Sequence, residues 1–327
     1  MNKHLICLIL AGTLSVSLVG CNTSTHNATN SNQNNDNIDK TPTVEIVNET
    51  TLNPDEAIKL LKETRASIIE NVDSLSQDEF DEMVLTYDLG LRNNYMQLRD
   101  KYSSEYYWET LNNIPLYDLK PHVNGVADES IKKELQDVLD AGYDFYFTEG
   151  VCQYQLKIDY TSFFAELKTS LSPTLIKYYT LMLSECEEPL TYGDYLSIGY
   201  DELANRFIVL EEVISRDTIT IFKEEMHDYL KDYTWQLTNI NSPISNTMDE
   251  NGKAMIVVVN SYRKLSESDL PIASKLGTEM LDILETSNYV LDYNNVDLTQ
   301  SISDIYYSID SLIDATYPPE VQLFNND

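Results

Sequence analysis

The sequence predicts a mainly α-helical domain of about nine helices, broken by one β-hairpin near residues 143–158. Two observations carry that expectation. Apolar residues recur at three- and four-residue steps along most of the chain beyond residue 53, which is the period of one helix face. Capping residues and prolines stand where those stripes begin and end. A third observation narrows the class: glycine is scarce, at 10 of 327 residues, which argues against glycine-rich nucleotide folds.

The first helix opens at Asn53-Pro54-Asp55-Glu56, where Asn53 caps, Pro54 suits the first turn and Glu56 completes a capping box. Ile58, Leu61, Ile68 and Val72 form its apolar side. A second capping box, Ser76 to Glu79, precedes Phe80, Val84, Tyr87, Leu91, Tyr95, Leu98 and Tyr102, a single helical stripe. Residues 112–128 hold Pro115, Pro121 and Gly125 and read as a loop that divides the domain into two halves in one reading. Ile131, Leu135, Val138 and Leu139 mark the next helix.

Two alternating runs follow, Tyr143 to Phe147 and Val151 to Ile158, around Glu149-Gly150. They read as a hairpin in preference to one continuous helix through Gly142 and Gly150. Helical spacing returns with Phe163, Phe164 and Leu167, turns at Ser172-Pro173 and resumes with Leu175, Tyr178, Tyr179 and Met182. Tyr200 to Ser215 is helical through Leu203, Phe207, Leu210 and Ile214. Asp217 starts another helix through Ile219, Phe222, Met226, Tyr229 and Tyr233. Residues 239–252 are a loop. Met255 to Val259 suits a strand by composition, but its flanks favour a helix. Leu276, Met280 and Ile283 mark the penultimate helix. Leu298, Ile302, Ile305, Ile309 and Leu312 mark the last, which Pro318-Pro319 stops.

Charge narrows the function. The chain has 22 basic and 54 acidic residues, a formal net charge of −32, and loses Lys3 if its leader is removed. Such a body excludes nucleic acid as an expected partner, because affinity there comes from cations neutralising phosphates. Beyond the first 30 residues only His122 and His227 remain, too few for a multi-histidine zinc site.

The N-terminus is the most specific signal. Lys3 and His4 precede an apolar stretch from Leu5 to Val19, which ends at Leu18-Val19-Gly20-Cys21. This segment resembles the leader and lipobox of bacterial lipoproteins, over residues 1–21 only. The resemblance implies removal of residues 1–20 and a diacylglyceryl group on the Cys21 thiol, palmitate being the typical acyl label. It also implies anchoring at the outer face of the cell membrane. The apolar run is shorter than the ~20 residues of a spanning helix, whereas two acyl chains anchor stably. Residues 21–50 then read as a flexible tether, with Asn22, Asn27, Asn30, Asn32, Asn34, Asn35 and Asn37 among Ser, Thr and Gln. Residues 51–327 form the helical extracytoplasmic domain. A long tether fits a thick wall and so a Gram-positive cell.

Candidate chemistry is sparse. Cys152 and Cys186 are the even pair left outside leader and anchor, and in such a compartment they read either as a disulfide or as two buried thiols. Metalloprotease, serine-hydrolase and phosphate-loop signatures do not occur, and no catalytic residue is assigned. Glu149, Asp159 and Glu185 are the carboxylates a hydrolase would use, with turn and cap roles as the simpler reading. No cofactor is expected. Asp249-Glu250-Asn251-Gly252 and Asp292 to Asp297 offer oxygens for calcium, but the second lacks the central glycine and distal glutamate of a calcium hand.

Arg206 borders an apolar helix face, four residues after Glu202, and reads as an edge residue paired with Glu202 or as a holder of a ligand anion. Tyrosine is abundant, at 23 residues. Trp108, Tyr192, Tyr195 and Tyr200 are expected contacts for a ligand or partner, because exposed rings beside carboxylates suit sugars, peptides and protein surfaces. The sequence therefore points to a non-enzymatic binding or assembly module of the envelope, whose partner is another envelope protein or a wall ligand. A sugar-, peptide- or solute-binding lipoprotein is the alternative. A carboxylate hydrolase is less favoured.

Overall fold

In the computed structural model, residues 52–112, 123–148, 153–192, 195–216, 219–240 and 247–318 are described. Eleven α-helices lie among them: α1 Pro54–Asn71, α2 Gln77–Tyr102, α3 Glu105–Asn112, α4 Glu129–Asp140, α5 Tyr160–Leu167, α6 Pro173–Glu187, α7 Tyr200–Ile214, α8 Lys223–Thr238, α9 Ile256–Ser266, α10 Pro271–Thr286 and α11 Val296–Thr316. Strands β1 Tyr143–Thr148 and β2 Gln153–Ile158 form an antiparallel hairpin, and β3 Thr191–Tyr192 pairs with β4 Tyr195–Leu196. The mainly α class and the hairpin are thus present as the sequence predicts. The helix number exceeds nine in part because α3, over Glu105–Asn112, is a short helix that the sequence reading does not contain. Asp217 lies outside the described residues, and a short 3-10 turn over Thr220–Phe222 leads into α8.

The capping boxes form as read. The Asn53 side chain accepts from the N–H groups of Asp55 and Glu56, and Ser76 accepts from Glu79. Each cap satisfies first-turn donors that have no partner inside the helix, which stabilises a terminus by ~1 kcal/mol. The α2 stripe is buried at Phe80, Val84, Tyr87, Leu91, Leu98 and Tyr102, with Tyr95 half-buried. Antiparallel packing of α1 on α2 follows from Lys101 meeting Asp55 at 2.8 Å and from the close approach of Leu61 to Gly90.

The hairpin lies across α2. Its register sets Tyr143 opposite Ile158 and Phe145 opposite Leu156, so four buried side chains share one face. Hydroxyls pin it in place: Tyr143 donates to the Leu91 carbonyl at 2.7 Å, and Tyr95 donates to that of Leu156 at 3.1 Å. Gly142 joins α4 to β1 at φ +98°, and a Cβ there would sit 2.3 Å from the Tyr87 hydroxyl. Both facts require glycine.

From α6 onward the helices form a second layered group. Helix α6 packs on α7, α7 on α8 and α9, and α11 closes against α8 and α10. Helices α9 and α10 cross at Gly277, where a Cβ would lie 2.3 Å from the Ser266 nitrogen and 2.6 Å from the Tyr262 oxygen. One contiguous apolar cluster runs through both groups. Within α11 the buried stripe is Leu298, Ile302, Ile305, Ile309 and Ile313, while Leu312 is only half-buried. A 3.6-residue period drifts off strict heptad spacing by that last step. Met255–Val259 is not a strand: Met255 precedes α9 at the N-cap position without a side-chain cap, and the helix's buried side includes Val258, Val259, Tyr262 and Leu265.

Candidate functional site

The side chains first marked for binding are placed differently from one another. Tyr195 is 60% exposed on β4. Tyr200 is buried, with its hydroxyl donating to the Gln236 carbonyl at 3.1 Å, because the first turn of α7 packs on the end of α8. The side chains of Trp108 and Tyr192 lie outside the described residues, as do Cys21, Cys152 and Glu149. Cys186 is half-buried in the last turn of α6.

Arg206 pairs with Glu202 as the spacing suggests, but it is buried and does not stand at an exposed edge. It is only 3% exposed. Its Nε donates to Glu202 at 2.9 Å, and its Nη1 donates to Glu185 at 2.9 Å and to the Glu188 carbonyl at 2.7 Å. Glu185 also accepts from the Tyr233 hydroxyl and from the Leu190 N–H. The guanidinium thus ties the C-terminal end of α6, where helix carbonyls favour a cation, to α7 and α8. Burial works against its charge, but Glu202 and Glu185 overcome this and raise its pKa. The ligand-holding reading of Arg206 therefore meets a side chain already filled by internal acceptors. Asp159 caps α5 through the Ser162 N–H at 3.1 Å.

Two further buried acids act the same way. Asp88 has no exposure and accepts from Tyr160 at 2.8 Å, Tyr179 at 3.2 Å and Arg92 at 3.1 Å. Arg92 donates in turn to Tyr178 at 3.0 Å and to Glu225, and lies 4.4 Å from the Phe222 ring centre. This network joins α2, α5, α6 and α8. Glu211, on α7, accepts from the N–H groups of Ile272 and Ala273 at 2.8 and 2.7 Å, so one helix caps the start of another. Burial pushes its carboxyl pKa up, and those N–H groups and the Tyr317 hydroxyl partly counter the shift.

The calcium candidates give their oxygens to backbone. Asp249 accepts from the N–H groups of Asn251 and Lys253, at 2.8 and 3.0 Å, which hold its carboxyl below the usual range. Asp292 accepts from Asn294, and Asn295 caps α11 through Leu298. Among the described residues no group of three or more His, Cys, Asp or Glu is placed to hold a metal ion.

The open site is a groove of about 680 Å³ at the start of α9. Its floor is Ala254, Met255, Ile256, Val257 and Val259, and its rim is Asp249, Lys253, Arg263 and Tyr289. A tight turn builds one wall: Asp249 and Lys253 pair through backbone, with Gly252 at φ +72°. Single β-bridges join Met248 to Ala254 and Lys253 to Val290, so the turn is stitched to the segment after α10. There Asn288 and Tyr289 both adopt left-handed backbone, at φ 53° and 63°. That conformation is uncommon for a bulky residue, and such strain concentrates at functional sites. It sets the tyrosine on the groove wall. Ile256 is 70% exposed at the first position of α9. Lys253 and Arg263 are exposed, and among the described residues neither lies in an ion pair; Arg263 donates to Asn260 at 2.7 Å.

Sequence reasoning did not single out this groove. Its residues lay across a loop, a segment ambiguous between strand and helix, and a turn 35 residues further on. The available signal was the exposed aliphatic start of α9 flanked by two of the 22 basic residues. A second cleft, of about 490 Å³, is crossed by ion pairs from Arg65 to Glu166 and from Lys62 to Asp137 and Asp140.

Compared with protein-family models, with curated proteins and with solved structures, the chain finds no match.

Proposed function

We propose that the mature chain is a lipid-anchored, extracytoplasmic binding module of the bacterial cell envelope, and that it presents the α9 groove to its ligand. The observation that carries this reading is the apolar leader ending in Leu18-Val19-Gly20-Cys21, followed at once by an asparagine-rich tether. A flexible tether of about 30 residues spans roughly 30 Å on average, enough to hold a folded domain off a bilayer. No described helix is long and apolar enough to cross a membrane, so attachment in this reading falls to Cys21.

The groove supports binding as the task. It is concave, mostly aliphatic and of a volume typical of small-ligand sites. Its polar lining is two cations, a phenol and the Asp249 carboxylate, the last accepting from the N–H groups of Asn251 and Lys253; the cations and the phenol suit an anion. The strongest carboxylate clusters, at Asp88, Glu185 and Glu211, are engaged in joining helices.

Labelling bacteria that express the full chain with radioactive palmitate tests the reading. Label should enter the wild type and fractionate with membranes, while Cys21→Ala stays unlabelled and retains the mass of its leader. Label in both chains, or an unlabelled wild type released to the medium, overturns it.

A further inference from the structure

We propose that the groove at the start of α9 binds an aliphatic monocarboxylate, an acyl chain ending in a free carboxylate. The inference rests on reading this groove as the module's binding site.

The body of the ligand follows from the floor. Ala254, Met255, Ile256 and Val257 offer aliphatic surface, and the flexible thioether of Met255 adapts to a chain of variable shape. Ile256 is exposed although it is the first residue of a helix whose neighbours pack inward. The backbone of residues 253–255 is already used: Ala254 N–H goes to the Tyr289 carbonyl, Met255 N–H to that of Thr247, and Lys253 N–H to Asp249, while the first turn of α9 has no side-chain cap. Along residues 253–255 a peptide would lose water from amides that find few partners, and unpaired amides are costly to bury. An acyl chain asks for no such partners.

The head of the ligand follows from the rim. Lys253 and Arg263 stand at one groove, without ion pairs among the described residues, on a chain of net charge −32. The third charge there, Asp249, accepts from two backbone N–H groups of its own turn and also feels the Lys253 cation, which leaves Arg263 as the cation without a nearby carboxylate on the rim. On a chain this acidic, two cations at one apolar groove give a carboxylate complementary charge there. The planar guanidinium of Arg263 is shaped for two parallel hydrogen bonds to it. A volume of about 680 Å³ accommodates a medium or long acyl chain more closely than a two- or three-carbon acid.

The test uses the full acylated chain in lipid nanodiscs, with empty discs as the blank, or the chain in buffer if it proves unacylated. Radiolabelled decanoate is the probe and decanol its neutral counterpart. One saturable decanoate site per chain is expected. Decanol should bind at least tenfold more weakly, and the double variant K253Q/R263Q should lose at least tenfold in decanoate affinity. Both substituted residues are exposed, so the fold is not at stake. Equal affinity for decanoate and decanol, an unchanged double variant, or nothing above empty discs overturns the proposal. Acylation of Cys21 is read on the same preparation. Absent decanoate binding with acylation intact therefore refutes this inference and leaves the anchored module standing.

Discussion

Replacing Asp88 by alanine probes the interior most sharply. The carboxylate is fully buried and serves Tyr160, Tyr179 and Arg92 at once. Truncation leaves two phenols inside the core without their acceptor, each costing about 1–3 kcal/mol if no water enters. Arg92 keeps Glu225 and the Tyr178 oxygen, and its side chain is 20% accessible, so part of its charge can be rehydrated. Breaking one side of a buried ion pair typically costs about 3–5 kcal/mol; with Arg92 partly rescued, the two phenols dominate and the expected total is about 2–6 kcal/mol. Asp88→Asn retains volume and one acceptor oxygen and should cost about 1–3 kcal/mol. Urea unfolding followed by circular dichroism measures both as a shift of midpoint at constant slope. A loss below about 1 kcal/mol for Asp88→Ala would refute the claim that this network fastens α2 and α5 to α6 and α8.

Two other perturbations read different parts of the fold. Gly277→Ala pushes a methyl group into the backbone of α9, within 2.6 Å of two atoms, and should destabilise by about 1–3 kcal/mol in the same assay; a neutral result would mean that α9 and α10 are not in close contact. Glu211 has a folded-state pKa raised above its ordinary 4.5 by burial. Its protonated form therefore favours the folded state, so its contribution is fully present below about pH 4.5 and is lost as pH rises through the folded value. The stability of the wild type relative to Glu211→Gln should fall over that rise, and a difference that stays flat or grows with pH would contradict the burial.

The helices were legible because their stripes are long and their caps local. The α2 stripe and the boxes at Asn53 and Ser76 involve residues within a few positions of each other, so periodicity and cap chemistry locate them without tertiary knowledge. The hairpin was legible from alternation around Gly150. Arg206 was half legible: its partner Glu202 is four residues away, but Glu185 and the Glu188 carbonyl arrive from another helix. Buried acids escaped notice because 54 acidic residues make any one of them look solvated. A positional signal existed, since Asp88 stands four after Val84 and three before Leu91, and Glu211 four after Phe207 and three before Ile214, each on an apolar stripe. The groove was illegible for a different reason. It is assembled by single β-bridges and two left-handed residues, which leave no periodic trace.

The central proposal is that this chain is an anchored module whose α9 groove binds an aliphatic carboxylate. Native mass spectrometry of the full chain, purified from the membranes of the cells that make it, tests that claim most directly. The account predicts a population carrying one additional non-covalent mass, released as an aliphatic carboxylate on denaturation and absent from K253Q/R263Q. A chain that emerges bare, or a retained mass that is identical in wild type and double variant, would contradict it.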